Sequence, residues 1–238
     1  MGLLTLDDAL ERLLVDPDYR ADFMAGRWER LAVAADDCIA LQTIDRVQLA
    51  RTADRVRADL AERQYRGSGG IKKLFAATIA AWEAAYPGAG ADSIFAAFVA
   101  SPAYQTYREL PFAGPGASLE EAFYRFACAE GLGDPATREG EYLAAIVKAV
   151  LLSPDATFTL PPELRPAPDG WFALSQIGAG TKLYAAARGR YVEGPVTPLL
   201  AELLTSSDSP AAIAERHRVP DAVCDAVVAR FRELGLMG

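Results

Sequence analysis

The sequence predicts a mainly α protein: an N-terminal all-helical domain followed by a small C-terminal α+β domain, winged-helix-like, of order β-β-β-α-α-α. Three observations predict it. Up to residue 153 the apolar residues recur almost everywhere at helical spacing. Residues 153–169, SPDATFTLPPELRPAPD, hold five prolines, and no regular helix survives that. Beyond 169 come β-prone runs separated by glycine turns, then three helical periods. The expected boundaries are 1–153 for the helical domain, 154–168 for a Pro-rich linker and 169–238 for the C-terminal domain.

The elements follow in order. Leu3, Leu6, Leu10, Leu13 and Leu14 mark a first amphipathic helix, and Asp16-Pro17 stops it and opens a short one over Asp18 to Ala25. Residues 43–63 carry Ile44, Val47, Leu49, Val56 and Leu60 among many charges, which predicts the longest helix. Arg66-Gly67-Ser68-Gly69-Gly70 breaks it. Helix resumes over Leu74 to Ala85, and Asp92-Ser93 can cap the next, through Phe95, Phe98 and Val99. PFAGPGA at 111–117 is a loop. Ser118-Leu119-Glu120-Glu121 fits a capping box ahead of Phe123, Tyr124 and Phe126, and another helix spans Glu139 to Leu152. In the C-terminal domain the strands are Gly170 to Ile177, Thr181 to Ala187 and Arg190 to Glu193. The helices run from Pro195 to Leu204, Pro210 to His217 and Pro220 to Leu234, the last stopped by Gly235.

Composition excludes several function classes. The chain has 238 residues, 24 basic and 32 acidic, for a net charge of −8, which argues against a general nucleic-acid binder and against docking on an anionic membrane. It has one histidine, His217, and three cysteines, Cys38, Cys128 and Cys224, with no C-x-x-C and no H-x-x-x-H. A zinc finger, a zinc protease site and an iron–sulfur cluster are thereby disfavoured, and no metal ligand set is expected. Sparse, odd-numbered cysteines read as reduced intracellular thiols. No secretory signal and no membrane span is read in the sequence, so the expected location is the cytoplasm.

No catalytic motif stands out. Arg66-Gly67-Ser68-Gly69-Gly70-Ile71-Lys72-Lys73 misses the G-x-x-x-x-G-K-[ST] spacing and follows a polar helix, so it reads as a helix break. His217 ends a helix, where a cation suits the dipole, and no G-x-S-x-G elbow supplies it with a nucleophile. Glu120, Glu121, Glu139 and Glu141 lack the Glu-x-x-His partners of a di-iron bundle and read as a cap and a solvated acidic face. Trp28, Trp82 and Trp171 read as core. Tyr104, Tyr107, Phe112, Phe123, Tyr124 and Phe126 are dense enough for a partner surface, with core packing the commoner use. No catalytic residue and no cofactor is expected in this chain.

Two readings of the C-terminal domain compete. In a winged-helix DNA-binding regulator the last helix enters a major groove, but its leading residues include Asp221 and Asp225, and 169–238 holds 7 basic against 8 acidic residues. The other reading is peptide capture. Three strands, three helices and the closing AIAERHRVPDAVCDAVVARFRELGLM resemble the RiPP recognition element, the PqqD-like domain that binds leader peptides of ribosomally made natural products. That resemblance implies a peptide added as a strand to the third strand and packed on the third helix. The edge would be Arg190, Tyr191, Val192 and Glu193. The helix face would be Val223, Val227, Arg230 and Phe231, with Arg190 and Arg230 pairing with an acidic leader.

The whole chain, with Leu13-Leu14-x-Asp16-Pro17-x-x-Arg20, Ser101-Pro102 and Ser118-Leu119-Glu120-Glu121-Ala122-Phe123, resembles the partner subunits of multinuclear non-haem iron dependent oxidases in such pathways. The resemblance implies a non-catalytic partner, in a heterodimer with an oxidase that carries the iron. It would present a precursor peptide, while the net charge of −8 argues against a membrane or a nucleic acid as partner.

Overall fold

A computed structural model describes residues 3–67, 69–111, 114–153 and 157–238. Ser68 of the expected helix break, Phe112 of the aromatic segment and 154–156 of the expected linker lie outside the described residues. Thirteen α-helices and one four-stranded sheet are formed among the described residues. None of these helices is long and apolar enough to cross a membrane.

The chain divides into two compact units. The first takes in 1–73, 89–126 and 157–159. It opens with α1 (Leu6–Val15), whose N-terminus is held by a reciprocal capping box between Thr5 and Asp8. Asp16 then caps α2 (Pro17–Met24), its carboxylate accepting from the N–H groups of Asp18 and Tyr19. Next come α3 (Ala35–Gln42) and the 21-residue α4 (Arg46–Arg66), capped by Asp45. Leu13, Phe23, Leu31 and Leu41 are fully enclosed in one core here.

After α5 (Ile71–Leu74) and α6 (Ala76–Ala85) follow α7 (Ser93–Ala100), α8 (Pro102–Arg108) and α9 (Leu119–Ala129). Phe98 of α7 stacks edge-on against Tyr104 and Phe123 at 5.2 Å, with Phe126 at 5.7 Å. Those three aromatics are buried, which makes them core rather than partner surface. At the start of α9 the Ser118 hydroxyl accepts from the Glu121 N–H at 3.1 Å, while the Glu121 carboxylate turns to Arg125 one turn on. Half of the expected capping box therefore forms.

The second unit takes in 74–88, 127–156 and 160–238. Its sheet is an antiparallel meander of β1 (Arg165–Ala167), β2 (Gly170–Ile177), β3 (Gly180–Ala187) and β4 (Arg190–Val196), in that order across the sheet. Each turn has two residues: 168–169, 178–179 and 188–189. Such tight turns fix the register locally. Arg188 and Gly189 have φ of +49° and +70°, as a type I′ turn requires. Then come α11 (Pro198–Thr205), α12 (Pro210–His217) and α13 (Asp221–Glu233), the first two capped by Thr197 and Ser209 with proline at the first turn.

The two faces of the sheet are covered differently. Phe172, Leu183, Ala185 and Ala187 pack against Leu203, Ile213, Val228 and Phe231 of α11, α12 and α13. The opposite face receives α10 (Pro135–Leu152), which lies along β2, β3 and β4. It comes so close at Gly140 that a Cβ there would stand 2.7 Å from the Tyr184 hydroxyl. Glu141 of α10 also caps α6, accepting from the Ala77 N–H at 2.6 Å and the Thr78 hydroxyl at 2.7 Å.

One expectation changes. The order is β-β-β-β-α-α-α, because Arg165–Ala167, inside the expected linker, pairs with Ala167 opposite Gly170 to give a fourth strand. Prolines 166 and 168 do not prevent this, since β1 is an edge strand where a missing N–H costs no ladder bond.

Candidate functional site

The β4 strand is the long free edge of the sheet. In a two-residue hairpin the residues flanking the turn, Ala187 and Arg190, form a hydrogen-bonded pair, and the pairs then alternate. Arg190, Val192, Gly194 and Val196 thus direct their backbone groups into β3. Tyr191, Glu193 and Pro195 direct theirs outward. Proline sits where no inward N–H is needed. Among the described residues nothing takes the outward N–H and C=O groups of Tyr191 and Glu193.

The side chains alternate too. Arg190 and Val192 face a cleft of about 220 Å³ between the sheet and the end of α13, floored by Ala185 and Ala187 and walled by Leu234 and Leu236. Arg188 closes one end. Its Nε donates to Asp169 at 2.6 Å and its Nη1 to the Glu233 carbonyl at 2.9 Å. Tyr191 and Glu193 face the other way, toward α10. The Lys148 ammonium of α10 stands 4.4 Å from the Tyr191 ring centroid, a cation–π contact. The Tyr191 hydroxyl donates to Glu193 at 2.5 Å, and Lys182 lies 3.7 Å from the same carboxylate.

The electrostatics follow from this packing. Burial pushes the Tyr191 phenol far above its ordinary value, and its bond to Glu193 adds to the rise. The Tyr191 hydroxyl, with Lys182 and Lys148 behind it, holds the Glu193 carboxyl below the usual range. Tyr184, deeper on the same face, is raised to about 12, chiefly by burial.

Of the eight residues read as a peptide site, the four on β4 form the edge, split two and two between its faces. The four on α13 separate. Phe231 is buried in the core, and Val227 packs partly against that core. Val223 is 43% exposed and does not line the cleft. Arg230 is exposed and engaged by Glu233 at 2.7 Å. The helix side of the cleft is made instead by Glu233, Leu234 and Leu236, at and just beyond the helix end.

Compared with protein-family models, curated proteins and solved structures, the chain matches none. The chemistry of the site thus rests on its own geometry. No group of three or more His, Cys, Asp or Glu able to hold a metal forms among the described residues. His217 meets Glu202 at 2.5 Å, and Glu202 also takes Arg216 at 3.1 Å, an ion cluster between α11 and α12. Glu120 is not on a solvated face: it is 7% exposed, with Gln64 donating to it at 3.3 Å. Burial pushes its carboxyl up.

Lys148 was beyond the reach of the sequence reading because it lies some forty positions upstream, on a helix assigned to the other domain. One signal for it exists. YLAAIVKAVLL is apolar nearly all round, the mark of a helix packed on more than one side, and Lys148 is the one charge inside that run.

Proposed function

We propose that β4 and the cleft beside α13 take up an extended peptide as a further strand of the sheet, and that the chain is a non-catalytic partner presenting a ribosomal precursor peptide to an iron-dependent oxidase. The observation that carries the peptide reading is the outward backbone of Tyr191 and Glu193 next to a cleft of mixed apolar and charged lining. Backbone bonds give such binding its affinity, and pockets for alternate side chains give it selectivity. The oxidase and the heterodimer rest on the whole-chain resemblance, and a cytoplasmic location on the sparse, odd-numbered cysteines. In this reading the N-terminal helices dock the oxidase, which supplies the iron, and tethering raises the peptide's effective concentration at the enzyme.

The DNA-binding alternative has less support. Asp221 and Asp225 are exposed at the start of α13, where phosphate would approach.

The test is a pull-down with the full chain from lysate of its source cells, read by intact mass and metal analysis, beside the Glu193→Pro variant. That substitution removes one outward N–H and leaves the bonds to β3 in place, as Pro195 already does. A short peptide lost with Glu193→Pro, together with an iron-containing protein, is the expected result. Nucleic acid alone, no peptide, or a peptide held equally by both forms overturns the reading. A thermal melt establishes that the variant is folded.

A further inference from the structure

The chain carries a net charge of −8, yet two cations flank β4 without an ion pair among the described residues. Arg190 stands on the cleft face and Lys148 on the α10 face. Arg188 pairs with Asp169, Arg216 with Glu202 and Asp208, and Arg230 with Glu233. Glu193, the carboxylate on which Lys148 acts, is shared with the Tyr191 hydroxyl and Lys182. A strand laid along β4 thus meets a cation outside any ion pair on each side.

The positions of these charges are one residue apart in register. Lys148 lies over Tyr191, and Arg190 is its chain neighbour. A ligand residue opposite Tyr191 shares that residue's face. The ligand residue opposite Arg190 is adjacent in its own chain and projects to the other face. Directly opposed side chains on one face have Cβ atoms about 5 Å apart, within reach of a Glu or Asp carboxylate.

We infer that the peptide taken up by β4 is selected by two consecutive acidic residues, one read by Lys148 and the next by Arg190. This inference rests on the peptide-edge reading above and deepens it. Acids spaced i, i+2 would share a face and satisfy one cation. Consecutive acids straddle the strand and satisfy both. With Arg190 exposed and Lys148 half-buried, each pair is worth about three-fold in affinity at low salt and less as salt rises.

The probe is a library of random dodecapeptides displayed on phage, selected at low ionic strength against the immobilised full chain. Selected peptides are then synthesised with each acid changed singly to its amide and measured by fluorescence anisotropy. Enrichment of adjacent Asp or Glu is expected. Against Lys148→Gln one of the two amide changes should cost nothing further, and against Arg190→Gln the neighbouring one should cost nothing further. If the selected peptides depend on the outward N–H of Glu193 but show no adjacent acids, or if neither variant alters their response to amidation, the inference fails and the edge reading stands. If nothing is selected, or if Glu193→Pro binds all selected peptides unchanged, the edge reading fails and carries the inference with it.

Discussion

The guanidinium of Arg188 joins the β3–β4 turn to the last turn of α13, its Nη1 donating to the carbonyl oxygen of Glu233 at 2.9 Å. That carbonyl is one of the helix-end acceptors that have no partner within their own helix. The same side chain reaches Asp169 in the β1–β2 turn, so one residue braces three segments at the end of the cleft. It does so from a left-handed backbone, φ +49°.

Arg188→Ala should lower stability by ~1–2 kcal/mol, mostly from the lost bond to a helix-end carbonyl, the exposed ion pair contributing little. Arg188→Gly should recover ~1 kcal/mol of this, because glycine occupies the left-handed region without a Cβ clash. Urea unfolding of the three proteins checks the order. An alanine variant at least as stable as the glycine variant would contradict it.

Gly140 and Tyr184 should couple. Gly140→Ala gains ~1 kcal/mol of helix propensity but drives its new methyl into the Tyr184 hydroxyl, and overpacking of this kind costs ~1–3 kcal/mol. The net effect expected is a loss. In the Tyr184→Phe background the new methyl meets only the flexible end of Ile177 at 3.3 Å and the ring at 3.8 Å, and the same change should become neutral or stabilising. A double-mutant cycle by thermal or urea unfolding measures the change of sign.

Glu120 sets a pH dependence. Burial raises its carboxyl above the ordinary value of 4.5, outweighing the bonds from Ser118 and Gln64. The folded chain then holds this proton at pH values where the unfolded chain has released it. Its contribution to stability is present below pH 4.5 and falls as pH rises above that value. Glu120→Gln should therefore be more stable than the parent at neutral pH, with the difference shrinking toward pH 4.5. Chemical denaturation at a series of pH values reads it directly, and equal midpoints at pH 7 would refute it.

Val223 and Val227 should respond differently to a carboxylate. Val223→Glu, at a 43% exposed position outside the cleft, should change stability by less than ~0.5 kcal/mol. Val227→Glu sets a charge against the core that contains Val228 and Phe231, and should cost ~2 kcal/mol or more. Thermal melts of the two variants separate the exposed side of α13 from its packed side.

Most of the helices and the three longer strands were legible because their signals are local. Asp16-Pro17 and Ser209-Pro210 each open a helix where the cap and the proline say so, whereas the helix that Ser101-Pro102 opens was not read. β1 was hidden because its three residues include a proline, and only its pairing with β2 makes it a strand. The candidate site divides along the same line. Edge residues 190–193 follow from the last β-prone run before the helices. The cleft wall at Leu234 and Leu236 depends on how the chain turns after α13, and Lys148 on which face of the sheet α10 covers. Neither is written in the periodicity of its own segment.

Pro195 has a consequence for the molecule in a crowded solution. An open strand edge invites neighbouring copies to zip onto it, and the hazard grows with the number of consecutive outward donors. Proline at the third outward position of β4 ends that row after Tyr191 and Glu193. A short guest can still be gripped, while sheet growth from one molecule to the next loses its footing after two residues. The same edge is thereby left open to a ligand and protected from aggregation.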